Sequence, residues 1–265
     1  MALLAAAWPA YWFIDEYLNG QDHELPSSFT EEFHRDPARV AQYRANVLQA
    51  VADGRPLHAL YDGRTNAPLI VETLALKAHE VMADVGCGLG GLELSLLERG
   101  IEFSRIYALD IDADALDFLR FQLDAAPLDR PERIVPLLTR KDDTTLDENS
   151  VDVVLILNAP VYSRVPPAEL VEYGYAADDL DANPCMESVW RALRPGGRLV
   201  VFDDVEGIPI KGVKCKPVLD LVPQHGFEIV RHDEVQLYDV PGEPTHCRAQ
   251  FVTTKQPDPV PAAGH

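Results

Sequence analysis

The sequence predicts an α/β protein: a doubly wound, seven-stranded, mostly parallel sheet with an antiparallel last strand, preceded by a helical N-terminal extension. Three observations carry that expectation. From Val81 onward, short apolar runs alternate with stretches of helical periodicity, the pattern of βαβ units whose sheet is covered by helices on both faces. The first apolar run and the first helical stretch are joined by the glycine-rich turn "GCGLGG", Gly86 to Gly91. The last two apolar runs have only the turn "YDVPGEP" between them, so the sheet should finish as an antiparallel pair.

The elements follow in order. Residues 1–77 are rich in aromatic and helix-forming residues, with turn signals at "LNGQDHELPSS" and "YDGRTNAP". Within "FTEEFHRDPARVAQYRANVLQAVADG", Val40, Tyr43, Val47, Leu48 and Val51 recur at helical spacing, and Gly54 stands where a C-cap belongs. Strands are expected at "VMADVG", "RIYALDI", "RIVPLL", "VDVVLILN", "RLVVFDD", "FEIVRHDEV" and "CRAQFVTT". Helices are expected at "GLELSLLER", "ADALDFLRFQLD", "ESVWRALR" and "VKCKPVLDLVPQH". The division is therefore 1–77 as a helical extension (a substrate lid or dimer contact), 78–255 as the α/β domain and 256–265 as a loose tail.

Composition narrows the function. The chain has 265 residues, and 43 acidic against 23 basic residues give a formal net charge of −20. A broad phosphate-backbone contact needs a concentrated Lys/Arg surface, so nucleic acid is not expected as a partner. Four scattered cysteines without C-x-x-C spacing indicate neither a disulfide framework nor a zinc knuckle, which fits a reducing cytoplasm. The opening "MALLAAAWPAYWFIDEYLNG" has no Lys or Arg before Arg35 and is too short in apolar length to span a bilayer, so neither a signal peptide nor a membrane anchor is expected. It reads as a helix packed on the protein or on a second subunit of a homodimer.

The glycine turn is the chemical signal. A strand, a glycine turn and a helix present backbone N–H groups at the carboxyl edge of the sheet, where open α/β folds bind ligands. "GCGLGG" fits G-x-G-x-x-G through Gly86, Gly88 and Gly91, and G-x-G-x-G through Gly86, Gly88 and Gly90. Spacing alone leaves a nicotinamide, a flavin or a sulfonium nucleoside open.

Asp84 extends the stretch to D-x-G-x-G-x-G, which resembles motif I of the class I S-adenosylmethionine (SAM)-dependent methyltransferases; a dinucleotide fingerprint usually has an apolar residue there. Further along, "KDDTTLDENSVDVVLILN", "ESVWRALRPGGRLVVFDD" and "LVPQHGFEIV" resemble later segments of the same family, in its order, from about Val81 to Lys255. The resemblance implies that Gly86, Cys87, Gly88 and Gly90 cradle the amino-acid part of SAM while Asp84 supports its amine. Asp110, ending the second strand, would take the ribose, with Ile111 beside it in the cofactor site. Asp142 or Asp143, with Asp143 preferred, would take the adenine amino group, and Asn158 would face the methyl group.

For the chemistry itself, Asn158, Tyr162 and His34 are the candidates, with His225 and His232 as further groups to test for a general base. Asn158 to Tyr162, "NAPVY", resembles a degraded N-P-P-Y motif of planar-amine N-methyltransferases, lacking its first proline and displacing its aromatic residue by one. Asp203 and Asp204 follow the fifth strand, but the fourth ends in Asn158 rather than Asp, so no metal is expected. Aromatic residues of the extension and the long stretch from Tyr162 to Cys185 suit the cover of a small-molecule pocket. The sequence thus points to a methyl group transferred from SAM to N or O of a small molecule. A NAD(P)-dependent oxidoreductase, a protein or peptide methyltransferase, and a cofactor-binding module without turnover are the alternatives.

Overall fold

A computed structural model describes residues 37–61, 67–140, 142–157, 183–204, 209–210, 213–214, 225–236 and 247–254. Two helices, α1 (Pro37–Ala52) and α2 (Ala67–Leu74), precede the sheet, and between them Leu57–Leu60 forms one 3₁₀ turn. The alternating part runs β1 (Val81–Val85), α3 (Gly91–Glu98), β2 (Arg105–Asp110), α4 (Ala113–Ala125), β3 (Ile134–Leu138), β4 (Val151–Leu157), α5 (Asn183–Ala192) and β5 (Leu193–Asp204). The strands β6 (Glu228–Gln236) and β7 (Cys247–Thr254) complete the sheet, whose order is β3-β2-β1-β4-β5-β7-β6.

β1 pairs in parallel with both β2 and β4, β2 with β3, and β4 with β5. β7 runs antiparallel to β5 and to β6, and lies between them. Chain order reverses across β1 and β4, so the crevice beyond their carboxyl ends is the topological switch point where such sheets take ligands.

The continuous apolar runs of the central strands have a plain cause, since both faces of the sheet are covered. In β4, Val153 and Leu155 pack with Val47, Ile70, Leu94, Phe118 and Leu119 of the preceding four helices, while Val154 and Ile156 pack with Met186 and Val189 of α5. On that second face the Trp190 and Phe227 rings meet edge-to-face at 4.8 Å.

Helix ends follow local chemistry. Gly54, at φ +67°, closes α1, with its N–H on the Val51 carbonyl and the Arg55 N–H on the Ala50 carbonyl. α5 stops at Ala192 rather than running to Arg194, because the Arg191 and Ala192 carbonyls accept the N–H groups of Asn149 and Ser150 from the turn entering β4. Arg194 then reaches Asp152 Oδ2 at 2.6 Å.

The helix expected over 213–225 begins differently: Val213–Lys214 forms a short antiparallel ladder with Pro209–Ile210, and 215–224 lie outside the described residues. Also outside them are 1–36, most of the stretch after β4 (158–182) and 255–265, with them His34, Asn158 and Tyr162.

A buried ion pair locks the sheet's lower edge. Arg198 of β5 grips Glu80, just before β1, through both nitrogens at 2.7 and 2.9 Å, and also donates to the Leu74 carbonyl at the end of α2. The Arg198 guanidinium holds the Glu80 carboxyl down at about 2.

Candidate functional site

The glycine loop needs its glycines for two different reasons. Gly86, Gly88 and Gly90 have φ of +82°, +55° and +82°, in the left-handed region that side chains avoid. Gly91 is different, because what excludes a side chain there is the Tyr61 ring, 3.0 Å from where a Cβ would stand. Gly90 is thus required by its backbone angle and Gly91 by the ring packed on it, so the loop geometry accommodates both spacings.

Bonds to β2 fix the loop's height over the sheet. The N–H groups of Gly86 and Cys87 both reach the Leu109 carbonyl, at 2.8 and 2.9 Å. The Gly88 N–H donates to Asp110 Oδ2 at 2.8 Å, and Asp110 Oδ1 accepts from the Asp112 N–H at 2.9 Å. Asp110 thus ties loop to strand and keeps lone pairs at the carboxyl edge. Asp112 caps α4 through the N–H groups of Asp114 and Ala115. Ile111 beside it is 62% exposed, an apolar face at the crevice rim.

A polar brace lies behind the loop. The Leu89 carbonyl accepts from Gln122 Nε2 at 2.8 Å, and the buried Tyr61 hydroxyl stands 2.9 Å from that carbonyl and 2.5 Å from Gln122 Oε1. Burial pushes the Tyr61 phenol well up, so it stays a donor. Tyr61 is placed by Glu98 at the end of α3, whose carboxylate accepts the Leu57 and His58 N–H groups at 2.6 and 2.9 Å and so pins the 3₁₀ turn to the helix.

The floor of the loop is acidic. Asp84 is 3% exposed and Glu93, in the first turn of α3, is 0% exposed. Their carboxyls lie against one another, yet Asp84 Oδ1 and both Glu93 oxygens lack a well-formed hydrogen bond. Burial pushes Asp84 up to about 6, against a lowering by its Glu93 neighbour, with Asp110 adding to the rise. Glu93 is raised well above the usual carboxylate range by burial first and by Asp84 second. Burial likewise raises the Cys87 thiol.

The two acids after β3 part company. Asp143 Oδ1 takes the Thr145 N–H at 2.9 Å, closing a turn in which Thr145 has φ +58°, and the Arg191 guanidinium at 2.7 Å. These bonds hold its carboxyl below the usual range. Asp142 is more exposed, 54% against 27%, with Arg140 Nε 3.3 Å away.

The described structure thus brings Asp84, Gly86, Cys87, Gly88, Gly90, Asp110 and Ile111 to one edge and places Asp142 and Asp143 in the turn after β3. Sequence reasoning missed Tyr61, Gln122 and Glu93. No sequence signal singled out Glu93: "GLELSLLE" carries Ser95 and Glu98 beside its leucines, and an acid in the first turn of a helix is ordinary. Among the described residues no group of His, Cys, Asp and Glu is placed to hold a metal ion. No described helix is long and apolar enough to cross a membrane.

Comparison with known proteins gives these elements a family context. Residues 83–201 match the methyltransferase domain family. An uncharacterized methyltransferase of Mycobacterium tuberculosis is 33% identical over 132 residues, half of this chain and 43% of the relative. The ribosomal RNA small subunit methyltransferase B of Xanthomonas campestris is 32% identical over 145 residues, 51% of this chain and 32% of the relative. The chain therefore spans less than half the length of these curated relatives.

Among solved structures, the [4+2]-cyclase SpnF aligns with a TM-score of 0.55 at 15% identity over 82% of this chain and 94% of its own. A SAM-dependent methyltransferase of Aquifex aeolicus aligns at 0.51 and 16% identity over 80% and 98%. At that identity the likeness is one of fold.

Proposed function

We propose that the chain is a class I SAM-dependent methyltransferase, as the domain match over residues 83–201 supports, and that it moves the methyl group of SAM to an N or O atom of a small molecule. The observation that carries the choice of cofactor is the sign of the charge beneath the glycine loop. Asp84, Asp110 and Glu93 stand there together, and no cation is among the groups that shift the Asp84 and Glu93 carboxyls. A dinucleotide would bring its doubly charged pyrophosphate against these acids, whereas SAM brings an ammonium and a sulfonium against a single carboxylate of its own and so carries no net negative charge.

The residues fit such a ligand. The orphaned Asp84 oxygen suits the ammonium, the lone pairs of Asp110 suit a ribose diol, and exposed Ile111 suits the adenine face. Asp142 is the better acceptor for the adenine amino group, because Asp143 is already engaged by Arg191 and the Thr145 N–H. Bound there, SAM supplies an activated methyl group. The protein's work is then to align it with the acceptor, exclude water and, where the acceptor carries a proton, remove it. Asn158, next in the chain after β4, is the proposed neighbour of the methyl group, and Tyr162 and His34 are the proposed bases.

A small molecule is favoured over RNA by the charge of −20, although two of the curated relatives are by their names RNA methyltransferases. The extension and the stretch from 162 to 185 are the proposed pocket cover, the extension doubling as a homodimer contact. The free thiols of Cys87 and Cys185 suit a cytoplasmic enzyme.

Differential scanning fluorimetry tests the cofactor. S-adenosylhomocysteine (SAH) should raise the melting temperature and NADPH should not, and the reverse would refute the reading. Radiolabelled methyl transfer from SAM into total RNA or into a metabolite extract tests the acceptor, and label in RNA would overturn the small-molecule proposal.

A further inference from the structure

The proposed cofactor site uses one carboxylate under the glycine loop, that of Asp84, and the structure has two carboxyls there. Asp84 ends its strand beneath the loop, and Glu93 enters from the first turn of α3; both are closed off from solvent, with three of their four oxygens lacking a well-formed hydrogen bond. The titratable neighbours on the elements packed around the pair are Asp110 at the end of β2, Cys87 in the loop and Tyr61 from behind it. The first carries negative charge, the other two are neutral, and none can balance two buried carboxylates.

We propose that Asp84 and Glu93 form a one-proton seat for a cationic amine: the proton held between them leaves when the cofactor's ammonium arrives, and Glu93 is the positioning residue that couples cofactor binding to proton release. This rests on the SAM reading above.

The charges balance at each stage. In the free protein one carboxyl keeps its proton and the seat carries a single negative charge. When the ammonium enters, the O–H bond of that carboxyl breaks, its proton passes to solvent, and two carboxylates face one cationic end group. Burial and mutual repulsion hold the proton in the free state, and both are relieved by a neighbouring cation. Asp110 cannot take this part, because its two oxygens are bonded to the Gly88 and Asp112 N–H groups. A neutral residue at position 93 would pack as well but could release nothing.

The seat therefore makes affinity for the amino-acid nucleoside rise with pH, by up to tenfold per unit where one proton is released. A nucleoside without the ammonium would bind with no such slope.

Isothermal titration calorimetry of the full chain with SAH, in buffers of different ionisation enthalpy, measures the protons released. Wild type should release close to one proton near neutral pH with SAH and none with 5′-methylthioadenosine, which lacks the amino-acid end. E93Q, whose amide can still donate to Asp84, should bind SAH within about tenfold of wild type, with the release and the pH slope gone. SAH binding by wild type without proton release overturns the seat and leaves the methyltransferase reading standing. Unchanged release in E93Q also overturns it, and if E93Q does not fold, the wild-type comparison of the two nucleosides decides alone. No SAH binding alongside clear NADPH binding would remove the cofactor reading, and the seat with it.

Discussion

Gly90→Ala probes how the glycine loop is held. Gly90 has φ +82°, where an alanine costs about 1–2 kcal/mol. Its Cβ would also stand 2.3 Å from Leu119 Cδ1 and 3.0 Å from Cδ2 and Cγ, and Leu119 is fully buried among α4 and the strands. Forcing that side chain aside costs about 1–3 kcal/mol. The sum, about 3 kcal/mol, leaves a protein of ordinary stability folded and lowers its melting temperature by about 6–12 °C.

The two contributions separate in a double-mutant cycle followed by urea unfolding. Leu119→Ala alone should cost about 2–5 kcal/mol as a cavity. It also opens the space that the new methyl needs, so the double variant should cost about 1–3 kcal/mol less than the sum of the singles, with only the backbone strain remaining. Because Gly90 caps α3 and its N–H closes the turn on the Cys87 carbonyl, SAH affinity should fall in Gly90→Ala and recover in part in the double variant. Strict additivity within about 0.5 kcal/mol would refute the steric account. Unchanged SAH affinity in a destabilised Gly90→Ala would disconnect the loop from the ligand.

Asp110→Ala should weaken SAH binding by about 1–3 kcal/mol through lost charge-assisted hydrogen bonds, read by calorimetry; an unchanged affinity in a folded variant removes Asp110 from the site. Asp142→Ala should leave unfolding within about 0.5 kcal/mol of wild type and weaken SAH, whereas Asp143→Ala should destabilise by about 1–2 kcal/mol through loss of its turn and its Arg191 partner, and the opposite assignment would be a refutation. Glu80, lowered from 4.5 to about 2, contributes stability that is full above about pH 4.5 and is lost as pH falls toward 2; the shift corresponds to about 3 kcal/mol. In Glu80→Gln the stability difference from wild type should therefore shrink across that window in urea unfolding, and a constant difference would show that the ion pair contributes no pH dependence.

Much of this was determined by the sequence alone. The class of fold follows from apolar runs that alternate with helical periodicity, because a strand covered on both faces can carry no polar side. The glycine turn, its aspartate and the acid ending β2 could be read as a cofactor edge, since short-range backbone geometry is written in neighbouring residues. Gly54 as the cap of α1 was legible for the same reason.

What only the tertiary structure decided lies between residues far apart in the chain. The sequence does not say why both Gly90 and Gly91 are glycine; Leu119 and Tyr61, whose side chains stand against them from other elements, supply the reason. Asp142 and Asp143 are adjacent and alike in sequence, and Arg191 of α5 tells them apart. The place of β7 between β5 and β6 has no local signature, because pairing depends on which edge is open when the strands meet. Glu93 reads along the chain as an ordinary acid at a helix start, where the dipole favours negative charge. Folding turned it inward onto Asp84, and burial, which no single position encodes, raises its carboxyl well above the usual range.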